Sequence, residues 1–151
     1  MIRKLSLVLT AALSVVAVAG VATAIAAEFG TAAEAKTMLE RAVAAVKADK
    51  AKALALFVKG EGGFKDRDLY PFCGGPDGNF TAHPTLVGKS LKELKDKAGK
   101  ALGAEMYKVA QEGKISEVNY MWPRPGSTEP VQKVSFVTKV ADQVCAVGYY
   151  K

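Results

Sequence analysis

One histidine, His83, and two cysteines, Cys73 and Cys145, are all that this 151-residue sequence offers in imidazole or thiol ligands. A histidine-based metal site needs a second imidazole, and neither cysteine stands in a CxxC pair. Zinc binding and dithiol redox chemistry therefore find no support. Carboxylates do not cluster at the spacing of a hard-cation site. There is no glycine-rich phosphate loop and no GxSxG elbow, and Ser135 has no histidine at a recognisable catalytic spacing. Lysines and arginines are dispersed among acids without a basic run, so the sequence lacks the phosphate track of a nucleic-acid protein. Internal repeats and a domain-splitting linker are missing too, which leaves one domain with enough chain to bury a core.

The N-terminus is a separate matter. Arg3 and Lys4 are followed by an uncharged, mostly apolar run from Leu5 that ends in small residues at Ala24-Ile25-Ala26. This is the three-part pattern of a secretory signal peptide, with cleavage expected after Ala26. Residues 1–26 are assigned to that leader and 27–151 to the folded domain, which places the protein in the periplasm or outside the cell. An uncleaved leader, long enough to span a bilayer, would instead anchor it to the membrane. Two of the 21 basic residues and none of the 15 acidic ones precede Ala27, so the remainder stays about four charges positive. That balance favours small organic anions. Two cysteines in an exported chain pair as a disulfide or stay as buried thiols. A bond between Cys73 and Cys145 would contribute on the order of 4 kcal/mol through loop closure.

Thr31 and Glu34 form a capping box ahead of Met38, Leu39, Ala42, Val43 and Val46 at helical spacing. The spacing predicts a long amphipathic helix to about Ala48. Asp49-Lys50 is a weak break, helical pattern resumes over 51–58, and Gly60, Gly62 and Gly63 stop it. The stretch Asp68–Pro84, DLYPFCGGPDGNFTAHP, has aromatics on both sides of an Asp-Gly turn and reads as a β-hairpin. A connection over 85–94 leads to a second amphipathic helix predicted over 96–112. Three strands in a meander follow, at 115–122, 131–140 and 143–150. Alternation puts Val118, Tyr120 and Trp122 on one face of the first and Lys133, Ser135 and Val137 on one face of the second.

With these motifs in view, the chain resembles the single Cache domains of the second type (sCache_2), PAS-like extracytoplasmic ligand-binding modules. The resemblance rests on DLYPFCGGPDGNFTAHP, LVGKSLKELKDKAGK, VNYMWPRPGSTEPVQKVSF and VCAVGYY, and it runs from about Thr31 to Lys151. Pro71, the Gly74-Gly75 pair, Gln132 and Phe136 depart from the family pattern. The implied fold is an α+β, PAS-like Cache fold: a long N-terminal helix and a five-stranded, mostly antiparallel sheet with helices on one face. In such a sheet the first and last strands are antiparallel neighbours, which implies a cross-strand Cys73–Cys145 disulfide.

The resemblance also implies a ligand pocket. If the two strand faces coincide, Tyr120 and Trp122 supply aromatic wall, Lys133 a cation and Ser135 a hydroxyl; Tyr70 and Phe72 share a strand face that forms another wall, and His83 either bonds a ligand oxygen or holds the following loop. That chemistry suits a small carboxylate. Plain core packing for the aromatics and a solvated strand position for Lys133 are the competing assignments. Arg124, in the proline-rich turn, either closes over an anion or points to water. The expected function is ligand sensing by a stand-alone exported domain, not catalysis. It would need no cofactor, act through a separate membrane-bound transducer, and dimerise through the N-terminal helix. The alternative is a structural or interaction module whose pocket is filled by its own side chains.

Overall fold

The computed structural model describes residues 27–151, and the leader assigned to residues 1–26 lies outside them. The capping box forms as predicted: Thr31 Oγ1 accepts from the Glu34 amide at 3.3 Å, and the Glu34 carboxylate accepts from the Thr31 amide at 2.8 Å. It starts α1, Ala32–Ala48, which buries Ala35, Met38, Leu39, Ala42 and Val46. Asp49 ends this helix and caps the next, its carboxylate accepting from the Lys52 amide at 3.0 Å. Helix α2, Lys50–Lys59, closes on Gly60 at φ +68°, a left-handed position that suits glycine. No helix among the described residues is long and apolar enough to cross a membrane.

Five strands make one antiparallel sheet: β1 Pro71–Gly74, β2 Phe80–Ala82, β3 Ser116–Pro123, β4 Pro130–Val140 and β5 Gln143–Tyr150, in the order β2-β1-β5-β4-β3. Pro71 opens β1, where its missing N–H costs least. The hairpin turn is the predicted one. Gly75 donates to the Asn79 carbonyl at 2.9 Å, and the Asp77 carboxylate accepts from the Asn79 amide at 3.0 Å. The first and last strands are neighbours, and Cys73 lies directly opposite Cys145. The two form a disulfide 72 residues apart in sequence, with both cysteines fully buried.

The helices divide between the two sides of the sheet, where one face was expected. The long pair α1 and α2 covers the side bearing Cys73, Phe136, Val140, Cys145 and Val147. On the other side, Leu91, Leu102 and Met106 pack on Phe72, Val118, Tyr120, Val137 and Ala146. Leu102 and Met106 belong to α3, Leu102–Val109, which is shorter than the predicted 96–112. Asp96 explains the late start: its carboxylate accepts from the Lys100 amide at 2.8 Å and from the Met121 amide at 3.0 Å, pinning that segment against β3 as a turn. At the other end, residues 111–112 leave the helix to bridge to Lys139 on β4.

Replacing both cysteines by alanine should lower unfolding stability by about 4 kcal/mol, the loop-closure contribution for a loop of this length. Urea denaturation of the double variant against the oxidised parent checks this. A loss below about 1 kcal/mol would show that the sheet centre does not depend on the bond.

Candidate functional site

Register brings the predicted faces together. Tyr120 on β3 lies opposite Lys133 on β4, and Tyr150 on β5 lies opposite Lys133 from the other side. Ser135 is flanked in the same way by Val118 and Gly148. All point to the α3 side of the sheet. There Lys133 is only 1 % exposed, a rare position for a lysine. Its ammonium donates to the Tyr70 hydroxyl at 3.1 Å. It also sits 4.4 Å from the Tyr70 ring centre, 4.7 Å from that of Tyr150 and 5.9 Å from that of Phe72. No carboxylate among the described residues pairs with it. Burying a cation costs several kcal/mol, while a ring face returns about 1–2 kcal/mol when desolvated. The aromatic box holds the charge without neutralising it.

Gly148 makes room for this arrangement. A Cβ there would overlap Lys133 Cε and Ser135 Oγ, so the lysine stem crosses β5 only because that position carries no side chain. The Ser135 hydroxyl is bonded to the Tyr120 hydroxyl at 2.8 Å. Burial pushes the Tyr120 phenol well above its ordinary range, so it remains a neutral donor.

His83, just past β2, is buried among Tyr70, Phe72 and Phe80, with ring centres 5.5, 6.2 and 5.0 Å away. Its Nδ1 accepts from the Thr85 amide at 3.0 Å, so the neutral ring carries its proton on Nε2. Burial first, and the Lys133 charge second, lower its pKa to about 4. The imidazole is therefore neutral at physiological pH. It fixes the loop that follows and keeps one N–H to offer.

Six of the seven residues singled out in the sequence, Tyr70, Phe72, His83, Tyr120, Trp122 and Lys133, line one cavity, closed on the helix side by Leu94 and Leu102. Ser135 does not line it; it supports Tyr120 from below. The cavity is about 10 Å³, room for roughly one water. Tyr70, His83, Leu94 and Trp122 also line a wider vestibule of about 560 Å³ that opens toward the β3–β4 turn. Trp122, edge-to-face with Tyr120 at 6.3 Å, thus stands with Tyr70, His83 and Leu94 on the boundary between the two spaces. Sequence reasoning missed Tyr150 and Gly148. Their signal was the period-2 pattern of the last strand, which places 146, 148 and 150 on one face, but only the β4–β5 register shows that this face meets Lys133.

A family model described as a Cache domain (dCache_2) matches residues 24–149. Among curated proteins, the methyl-accepting chemotaxis protein McpP of Pseudomonas putida is 39% identical over 56 residues. That match covers 37% of this chain and 10% of McpP, so the chain aligns with about a tenth of the relative's length. Among solved structures, a methyl-accepting chemotaxis protein from Vibrio parahaemolyticus is similar with a TM-score of 0.64 and 25% identity, over 78% of this chain and 86% of that one. The periplasmic sensor domain of a chemotaxis protein gives 0.59 and 27%, over 76% and 86%. A Cache chemosensory domain that recognises carboxylic acid gives 0.54 and 24%, over 76% and 84%.

The lowered pKa of His83 has a stability consequence whose sign is fixed. The unfolded chain takes up a proton near pH 6.5 and the folded one only near pH 4, so stability falls as pH drops through that window. Between pH 7 and pH 5, before most carboxylates titrate, the loss should be about 2 kcal/mol. Urea midpoints at the two pH values measure it, and His83→Gln should flatten the difference. An equal pH dependence in the variant would assign the effect elsewhere.

Proposed function

The chain belongs to the Cache domain family, and from that premise we propose that it is an extracytoplasmic sensor domain that binds a small organic carboxylate. The observation that carries the proposal is the buried Lys133 ammonium, boxed by Tyr70, Phe72 and Tyr150 and lacking a carboxylate partner among the described residues. One carboxylate oxygen accepts from Lys133 Nζ, a charge-assisted bond in a low-dielectric site. The hydroxyls of Tyr70 and Tyr120 and the Nε2–H of His83 are neutral donors in the same wall. The apolar end of the ligand lies against Trp122 and Leu94. The inner cavity holds about one water as it stands, so a ligand enters only by displacing lining side chains, and a short chain needs the least displacement. The carboxylic acid named for one structural neighbour agrees with this ligand class.

Sensing, not turnover, is the proposed role. Strand β5 carries Tyr150 and Gly148 toward the pocket, while its other face, with Cys145 and Val147, packs under α1. Displacement of β5 on binding would therefore be felt by α1, and through it by a membrane transducer and by a second copy docked along that helix. The buried disulfide suits the oxidising compartment that this placement requires.

A second reading has its own observation. A cavity of about 10 Å³ is nearly filled by its own side chains, as in a structural or interaction module. Titration calorimetry of refolded, ligand-stripped protein with acetate, propionate and pyruvate separates the two. The sensor reading expects saturable binding by at least one, weakened about 100-fold in Lys133→Met, the equivalent of a charge-assisted hydrogen bond of nearly 3 kcal/mol. Absence of binding by any short carboxylate to folded protein favours the self-filled module.

A further inference from the structure

The vestibule has a charge pattern of its own. Its walls include Lys59, Lys65, Arg67 and Arg124, and no aspartate or glutamate lines it. Arg67 is already committed: it pairs with Glu34 and Asp66 and donates to the Ala27 and Phe29 carbonyls. Lys59 and Lys65 form no ion pair among the described residues. Arg124 is the informative one. Its guanidinium is layered between Phe29, 4.2 Å from the ring centre, and Tyr150, at 5.0 Å. Asp68 forms an ion pair with it, Oδ2 lying 3.5 Å from Nε, yet the two make no hydrogen bond, and both atoms are buried without a hydrogen-bond partner. Arg124 donates no hydrogen bond to any described residue, although an arginine carries five donors. The body of the vestibule is apolar, with Pro84, Leu86, Trp122 and Pro123. At about 560 Å³ it is the size of an organic-ligand site, far beyond what the inner cavity can take.

We infer that this vestibule is a second ligand site, for an organic anion with an apolar body, an aryl-alkyl or medium-chain carboxylate. Its carboxylate pairs with the open donors of Arg124, Lys59 and Lys65 add attraction at the mouth, and its body lies on Trp122, Pro84 and Leu86. The planar fork of arginine suits a carboxylate, and its stacking on two rings holds that fork in place. The site borders the Lys133 pocket, sharing Tyr70, His83, Leu94 and Trp122 with it, but its cations are different ones and it does not depend on the small-carboxylate reading. Because Trp122 walls both spaces, an occupant here also blocks the way inward.

Trp122 is the sole tryptophan, so its fluorescence reports the site directly. With 3-phenylpropionate as probe, a saturable change in Trp122 emission is expected, weaker at high ionic strength and absent with the uncharged 3-phenylpropanol. Arg124→Gln should abolish saturation. Since Arg124 also packs on Phe29, its variant is checked by thermal melting, and the exposed-lysine variant Lys59→Glu/Lys65→Glu decides the matter if Arg124→Gln does not fold. That double variant should weaken the probe at least tenfold. Lack of a saturable change, equal binding by the alcohol, or binding untouched in both charge variants would overturn the inference. So would loss of the probe in Lys133→Met with retention in Lys59→Glu/Lys65→Glu, which relocates it to the inner pocket. Acetate or propionate binding without phenylpropionate binding overturns this site alone, and the reverse result overturns only the small-carboxylate reading.

Discussion

A lysine that is 1 % exposed and unpaired with any described carboxylate is the constraint on which the rest of the structure turns. Moving an ammonium out of water is among the costliest acts a fold can perform, and hydrophobic burial elsewhere has to offset it. Here three ring faces and one phenol hydroxyl recover part of that cost. The remainder persists as a standing attraction for negative charge. Much of the local sequence serves this arrangement. Tyr70 stands just ahead of β1 and Tyr150 ends β5, and the adjacency of those two strands brings both rings over one ammonium. His83 stays neutral beside it, as burial and the neighbouring charge both require.

The sheet can hold such a group because its other side is conventional. Helices α1 and α2 supply Leu39, Val46 and Phe57 to an apolar core against Phe136, Val140 and Val147. The Cys73–Cys145 bond fastens the first and last strands at the point where their registers coincide. One face supplies stability and the other carries the polar chemistry, and β5 belongs to both. That division is possible only because the pleat sends alternate residues to opposite faces.

Much of this was legible in the sequence, and the exceptions share a cause. Local signals did well. Thr31 and Glu34 cap the helix they announce, Asp77-Gly78 turns the hairpin, and alternation sorted Lys133 and Ser135 from Val134 and Phe136. Pairing Cys73 with Cys145 needed the fold order as well, which the family resemblance provided. Features set by partners distant in sequence escaped. Asp96 ends its segment's helical tendency by bonding to Met121, 25 residues on, so α3 came out short. The placement of α3 across the second face has no local signature. Ser135 looked like a pocket hydroxyl because its face was right, yet Tyr120 already holds it. Tyr150 and Gly148 lie at the end of a strand whose register is fixed only by β4.

Gly148 bears on how this chain can change over generations. Even a methyl group at that position meets Lys133 and Ser135 at once, so the three positions cannot drift independently. Substitution at any one is judged by the occupants of the other two, and their effects will not add. A side chain at 148 requires the lysine stem and the serine hydroxyl to move or to be replaced. The residue at position 148 and the length of the side chain at position 133 are therefore bound to change together.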